Sequence, residues 1–297
     1  MLAVSALLSA LLLLLCAPFT SPFAITSITR ATTRAFRPPS PVHRGSKTSL
    51  FSSVYPNANA RGLATTPTEC APLADDPFTL YMMPSTLPNA DGSDETSPGA
   101  CPFAHYVRSV LFFKNLKYKL RPTSTENKPN WLVEYYEGSM PALKHGSEAY
   151  VESSVISQYL DFFFESPTLG EDKKLRAAES SFFPALKKFV MCTDAAQDDD
   201  LKSDLLTALA ELEAALPTSP GPTLTDLSLA PQLYYMTVAL DAFKQDSLST
   251  AAVFELHPTL KTYADALFKL PSFKHALDYS DEVIIAGFEM GRANTSP

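Results

Sequence analysis

Strand-like segments stop at Pro167, and every later pattern is helical. This change limits the chain to a mixed sheet domain followed by an all-helical one. Before it, Phe78–Met83 (FTLYMM) is a short apolar run suited to a buried strand. A polar loop bearing Gly and Pro covers Pro84–Ala100. A helix opens at Cys101, with Phe103, Val107, Val110 and Leu111 predicted to share one face. Tyr118–Leu120 reads as a second strand, and Lys128-Pro129 precedes a helix through Trp131 and Tyr135. Met140–Lys144 and Glu148–Val151 read as a strand pair about a tight turn at His145-Gly146-Ser147. Val155, Ile156, Tyr159, Leu160 and Phe163 give the next helix, completing the order β-α-β-α-β-β-α.

The second half starts with a helical stretch, Asp172–Thr193. Leu201, Leu205, Leu209, Leu212 and Leu216 then recur at helical spacing, and Pro217–Pro222 breaks the chain. Thr223-Leu224-Thr225-Asp226 matches a capping box: the Thr hydroxyl accepts from the Asp226 amide while the carboxylate reaches back. A helix follows through Leu227, Ala230, Tyr234 and Val238, with further patterns over Thr259–Leu270 and Ser272–Leu277.

Charge divides the chain differently. Residues 1–68 contain no Asp or Glu and six basic side chains, so all 32 acids fall later. Residues 2–16 (LAVSALLSALLLLLC) form an apolar run too short for a comfortable membrane span, which needs ~20 residues. The run has the length of a signal-peptide core, although no Lys or Arg precedes it. Residues 25–68 hold 14 Ser or Thr in 44 positions. With Arg, Pro and no acids, that is transit-peptide composition. We therefore assign 1–24 to a signal peptide and 25–72 to a transit-like leader. Beyond it, 77–166 is the mixed domain and 172–290 the helical one. Together the two leader parts resemble the bipartite leader of proteins imported into secondary plastids, with Phe19 or Phe23 near the signal cleavage point. That resemblance implies a plastid (chloroplast) location.

With a net charge of −8 and pI near 5.2, the chain lacks the basic surface of a nucleic-acid binder. No run after residue 77 reaches the ~18 apolar residues of a constitutive membrane span. Cys70, Cys101 and Cys192 show no metal-ligand spacing and form no disulfide framework, so no metal is expected. Cys101 follows Pro98-Gly99-Ala100 and heads a helix whose free amides and dipole favour an anion. A thiolate there is expected to have a lowered pKa and to act as a nucleophile; the alternative is a buried structural cysteine. Position 104 is Ala, so no CxxC partner resolves an oxidised Cys101. At Met140-Pro141 the peptide bond is either cis or an ordinary trans strand start. Glu152-Ser153 at a helix start offers a carboxylate site, or simply a cap. His105 and His145 have no partner at sensible spacing and read as surface or packing residues. Cys192 reads as core, and Asp198-Asp199-Asp200 as a solvated loop and helix start.

Six motifs carry a family resemblance. They are CPFAHYVR (Cys101–Arg108), NKPNWL (Asn127–Leu132), SMPAL (Ser139–Leu143), ESSVI (Glu152–Ile156), TDLSLAPQLYYM (Thr225–Met236) and HPTLKTYADALFKLPSF (His257–Phe273). Over residues 77–290 the chain resembles the dehydroascorbate reductases of the glutathione S-transferase superfamily. The resemblance implies a thioredoxin-like N-terminal domain with an all-helical C-terminal domain, and glutathione-dependent reduction of dehydroascorbate by a monomer. It implies Cys101 as the redox nucleophile and Met140 and Pro141 against the cysteinyl group of glutathione. Glu152 and Ser153 would take the γ-glutamyl end, with Lys128 near the glycyl carboxylate. Tyr235 and Phe288 would line the ascorbate side, where the family has His and Trp. Ala100 replaces the family's Asp, and the Lys ending the first strand is missing around Met83-Pro84. Two other readings share the fold: an omega-type glutathione thiol transferase, and a non-enzymatic protein of the chloride intracellular channel kind.

Overall fold

A computed structural model describes residues 78–88, 97–164, 167–217 and 221–295. The expected leader, with Cys16 and Cys70, lies outside them.

Alternation of buried and half-buried residues makes Phe78–Met82 (β1) a strand. It pairs in parallel with Tyr118–Pro122 (β2), Leu80 opposite Leu120. On its other edge it pairs antiparallel with Ala142–His145 (β3), which pairs antiparallel with Glu148–Val151 (β4). The sheet order is β2-β1-β3-β4. The predicted hairpin is present, with Gly146 at φ +57° in its turn, although β3 begins at Ala142 rather than Met140. Pro102–Phe113 (α1) joins β1 to β2 in the crossover that parallel strands require. Asn130–Tyr136 (α2) and Ser153–Phe163 (α3) complete this half in the predicted order.

The second half is helical throughout: Lys173–Met191 (α4), Asp198–Ala215 (α5), Leu224–Phe243 (α6), Thr250–Leu256 (α7), Pro258–Leu267 (α8), Pro271–Ala276 (α9) and Asp281–Thr295 (α10). α7 and α10 were not expected, because neither carries a strong apolar stripe of its own. α6 is buried on all sides from Leu224 to Leu233, so it is the helix around which the others pack. Its capping box forms as predicted: the Asp226 amide donates to Thr223 Oγ1 at 3.1 Å and the Thr223 amide to Asp226 Oδ2 at 2.8 Å. The Tyr263 hydroxyl donates to the other carboxylate oxygen, anchoring α8 to the same cap.

α1 belongs to both halves. Leu111, Val110 and Val107 are fully buried. Arg108 donates to both oxygens of Asp278 at 2.6 Å and to the Ala276 carbonyl at 3.0 Å. Ser109 donates to the Ser272 carbonyl at 3.2 Å. At the far end, buried Lys114 donates to Asp161 and to the carbonyls of Phe164 and Pro167.

Two sequence expectations change. Phe103 is 41 % exposed and packs edge-on against Phe183 (centroids 5.6 Å), so it does not share the buried face of Val107 and Leu111. Cys192 is the half-buried C-cap of α4 rather than core, with its Sγ 3.6 Å from the Asp194 carbonyl. Asp198 to Asp200 start α5 as expected, with Asp199 and Asp200 exposed and Asp198 paired with Lys244.

Candidate active site

The loop ahead of α1 is set by close backbone packing. Gly99 donates to the Met83 carbonyl at 2.9 Å, and an added Cβ there would meet the Pro84 carbonyl oxygen at 2.3 Å. Only glycine fits, and this contact holds the chain two residues before Cys101. Ala100 packs against the helical core, an apolar contact that a carboxylate would not make. Cys101 is the N-cap of α1 in an extended conformation, and its carbonyl accepts the His105 amide at 2.9 Å.

The expectation of a lowered thiol pKa is corrected here. The amides of Ala104 and Phe103 do favour the anion, but burial outweighs them and pushes the Cys101 thiol up. Burial also keeps His105 neutral. Its pKa is lowered to about 3 by desolvation and then by the Arg108 charge, against the opposing Phe273 hydrogen bond. Neither His105 nor His145 is at the surface. His145 Nδ1 is 2.7 Å from the Tyr159 hydroxyl. His105 Nε2 lies 3.1 Å from the Phe273 carbonyl, which can only accept, so this nitrogen carries the proton. His105 Nδ1 therefore accepts from the Tyr279 hydroxyl at 2.7 Å, and Tyr279 accepts from Tyr235 at 3.2 Å. Burial pushes both phenols up, and Cys101 adds to the rise as a smaller electrostatic cause, so the pair lies within electrostatic reach of the sulfur.

Beside α1 lies a cavity of about 260 Å³. Met140, Pro141, Glu152 and Ser153 line it, as do Phe103, Tyr106, Ser154, Arg176 and Ser228. Four expected residues from two separate segments thus meet in one place. The Met140–Pro141 peptide bond is cis. Glu152 sits at φ +68°, a region costly for a residue with a side chain by about 1–3 kcal/mol and tolerated mostly at functional positions. Ser153 is the first residue of α3, so its amide has no partner within the helix.

The other expected residues lie elsewhere. The Lys128 side chain crosses Gly138, where an added Cβ would come within 3.0 Å of its Cδ and Nζ. Tyr235 is buried behind Cys101 in the chain just described, and Phe288 packs against Phe243 in the helical core (6.2 Å). Sequence reasoning missed Arg176, Tyr106 and Ser228 as cavity residues. Ser228 lies inside a quoted motif, but nothing along the chain marks Arg176. Among the described residues no group of three or more His, Cys, Asp or Glu could hold a metal ion, and no helix is long and apolar enough to cross a membrane.

A thiol heading the first helix of a four-stranded mixed sheet, backed by an all-helical half, is the architecture of the glutathione S-transferases. A profile described as "Glutathione S-transferase, N-terminal domain" matches residues 99–168. Glutathione S-transferase DHAR2 of Arabidopsis thaliana is 32 % identical over 199 residues, covering 64 % of this chain and 90 % of that protein. Chloride intracellular channel protein 3 of Homo sapiens is 25 % identical, over 65 % of this chain and 91 % of that one. The crystal structure of Chlamydomonas reinhardtii dehydroascorbate reductase superposes with a TM-score of 0.58 at 29 % identity, covering 72 % of this chain and 97 % of that one. The chain belongs to the glutathione S-transferase family, among its dehydroascorbate reductases.

Proposed function

We propose that the protein reduces dehydroascorbate to ascorbate with glutathione, through the single thiol of Cys101. One observation supports this most directly. Cys101 caps α1 two residues before Phe103, and Phe103 and Tyr106 of that helix line one cavity with Met140, Pro141, Glu152 and Ser153. In this reading Glu152 and Ser153 hold the γ-glutamyl end of glutathione. Met140 and Pro141 meet its cysteinyl group, and Lys128 lies toward its glycyl carboxylate. Tyr235 and Phe288 belong to the dehydroascorbate side. Residues 77–166 act as the glutathione-binding domain and 172–290 as the helical domain.

The chemistry balances in three steps. The Cys101 thiol, dehydroascorbate and water give ascorbate and a sulfenic acid on Cys101; sulfur is oxidised and the dicarbonyl takes two electrons and two protons. One glutathione condenses with the sulfenic acid, releasing water and leaving a mixed disulfide. A second glutathione attacks that disulfide, releasing oxidised glutathione and the free Cys101 thiol. With Ala at position 104, both reducing thiols come from glutathione.

A glutathione-coupled assay offering dehydroascorbate and a small glutathione mixed disulfide side by side tests the reading. Cys101→Ser is expected to abolish dehydroascorbate reduction and Cys192→Ser to leave it nearly intact. Glu152→Ala and Ser153→Ala should raise the glutathione KM, each removing contacts of about 1–3 kcal/mol. Turnover of dehydroascorbate by Cys101→Ser at the wild-type rate overturns the mechanism. A strong preference for the mixed disulfide makes the protein an omega-type thiol transferase instead.

Residues 1–24 and 25–72 are proposed as a signal and a transit leader to the plastid. Two similar proteins, from Oryza sativa subsp. japonica and Arabidopsis thaliana, are named chloroplastic, while another from Oryza sativa is named cytosolic. A fluorescent fusion of residues 1–72 is expected in the plastid, and deletion of residues 1–24 should strand it in the cytosol.

A further inference from the structure

Two charged side chains line the cavity, and they have opposite sign: Glu152, from the start of α3, and Arg176, from the first turns of α4. Glutathione at neutral pH carries a zwitterion at one end, an ammonium and a carboxylate on the same carbon. We propose that Arg176 binds the α-carboxylate of that γ-glutamyl end, completing with Glu152 a zwitterion site that spans both halves of the fold. This rests on the glutathione reading above and adds a specificity-determining residue from the helical half.

The guanidinium is held ready before any ligand arrives. Its Nε donates to Glu171 at 3.0 Å and its Nη1 to Glu179. Nη2 makes a long contact of 3.5 Å to the Tyr106 hydroxyl, and the group lies 5.9 Å from the centre of the Tyr106 ring. Glu179 is itself buried and accepts from Ser228 at 2.5 Å and Gln232 at 2.6 Å, so the carboxylate that grips Arg176 cannot drift. A guanidinium has five N–H donors, and these contacts engage three. The remaining two, one on each Nη, match the fork that takes a carboxylate with two parallel hydrogen bonds. The Arg176 side chain is 26 % exposed and lines the cavity.

The opposite wall is complementary. The Ser153 amide and hydroxyl stand at the N-terminus of α3, where a carboxylate is also favoured. Glu152, displaced into its unusual backbone geometry, supplies the negative charge for the ammonium. Glu171 and Glu179 hold Arg176 in place but do not line the cavity.

The test compares glutathione with γ-aminobutyryl-cysteinylglycine, which lacks only the α-carboxylate, in steady-state reduction of dehydroascorbate. For the wild-type enzyme the analogue is expected to show a KM about tenfold higher. Arg176→Gln should raise the KM for glutathione by about tenfold while shifting that for the analogue by less than about twofold, with kcat unchanged. Arg176→Lys keeps the charge but loses the fork, and should fall between the two. Equal effects of Arg176→Gln on both thiols would mean that Arg176 merely supports the fold, and no effect on either would mean that it is not engaged. Either result overturns the proposal. If Arg176→Gln does not fold, Arg176→Lys decides by the same comparison of the two thiols. A wild-type enzyme with no saturable dependence on glutathione is a different result, and it sinks the glutathione reading itself.

Discussion

At the scale of single residues, burial decides the charge state of the groups near Cys101. His105 is neutral in the folded protein because desolvation and Arg108 lower its pKa to about 3, whereas in the unfolded chain it titrates near 6.5. The unfolded state therefore binds a proton that the native state refuses. Stability from this source is present above pH 6.5 and is lost as pH falls toward 3, by up to about 1.4 kcal/mol per pH unit. Urea unfolding across that window should show this slope, and His105→Gln should flatten it. An unchanged slope in the variant would assign the acid sensitivity to other groups. Sequence reasoning found no partner for His105 because its partners, Phe273 and Tyr279, lie 168 and 174 residues away. The same cause reversed the expectation for Cys101. A helix N-terminus can be read from Cys-Pro, but the burial that opposes its amides cannot.

At the scale of elements, α6 shows local and distant signals meeting at one carboxylate. Asp226 accepts from the Thr223 amide and hydroxyl and from Tyr263 of α8, and is almost fully buried. Thr223→Ala should cost about 1 kcal/mol, the usual value of an N-cap. Asp226→Ala should cost about 3 kcal/mol, because it also leaves buried donors on Thr223 and Tyr263 without an acceptor. Chemical denaturation of the two variants checks the order, and equal losses would mean that Tyr263 contributes nothing through Asp226. The capping box was legible from four consecutive residues. Its third partner was not, since a donor from another helix leaves no mark on that spacing.

At the scale of the whole molecule, the pair Arg108–Asp278 ties α1 to the segment after α9. Arg108 is buried, while Asp278 remains 41 % accessible on its side chain. Asp278→Ala leaves a guanidinium in the interior without its counter-charge. Because water reaches part of the site, the loss should be about 2 kcal/mol, below that of a fully enclosed pair. If the loss reflects that stranded charge, the double variant Arg108→Met with Asp278→Ala should recover part of it. Strictly additive losses in the double-mutant cycle would show that the two residues do not act as a pair.

The sequence alone determined the order of strands and helices in the first half, the change to an all-helical second half, and the cap of α6. These follow from periodicity and short-range hydrogen bonding, which are written within a few residues. It also marked Cys101, Met140, Pro141, Glu152 and Ser153, because their motifs are contiguous. The tertiary structure alone decided that four of these residues share a cavity, that Arg176 and Ser228 close it from the helical half, and that the Cys101 thiol is raised rather than lowered. Each of those depends on which distant segments exclude water from which side chain, and neither spacing nor composition encodes that.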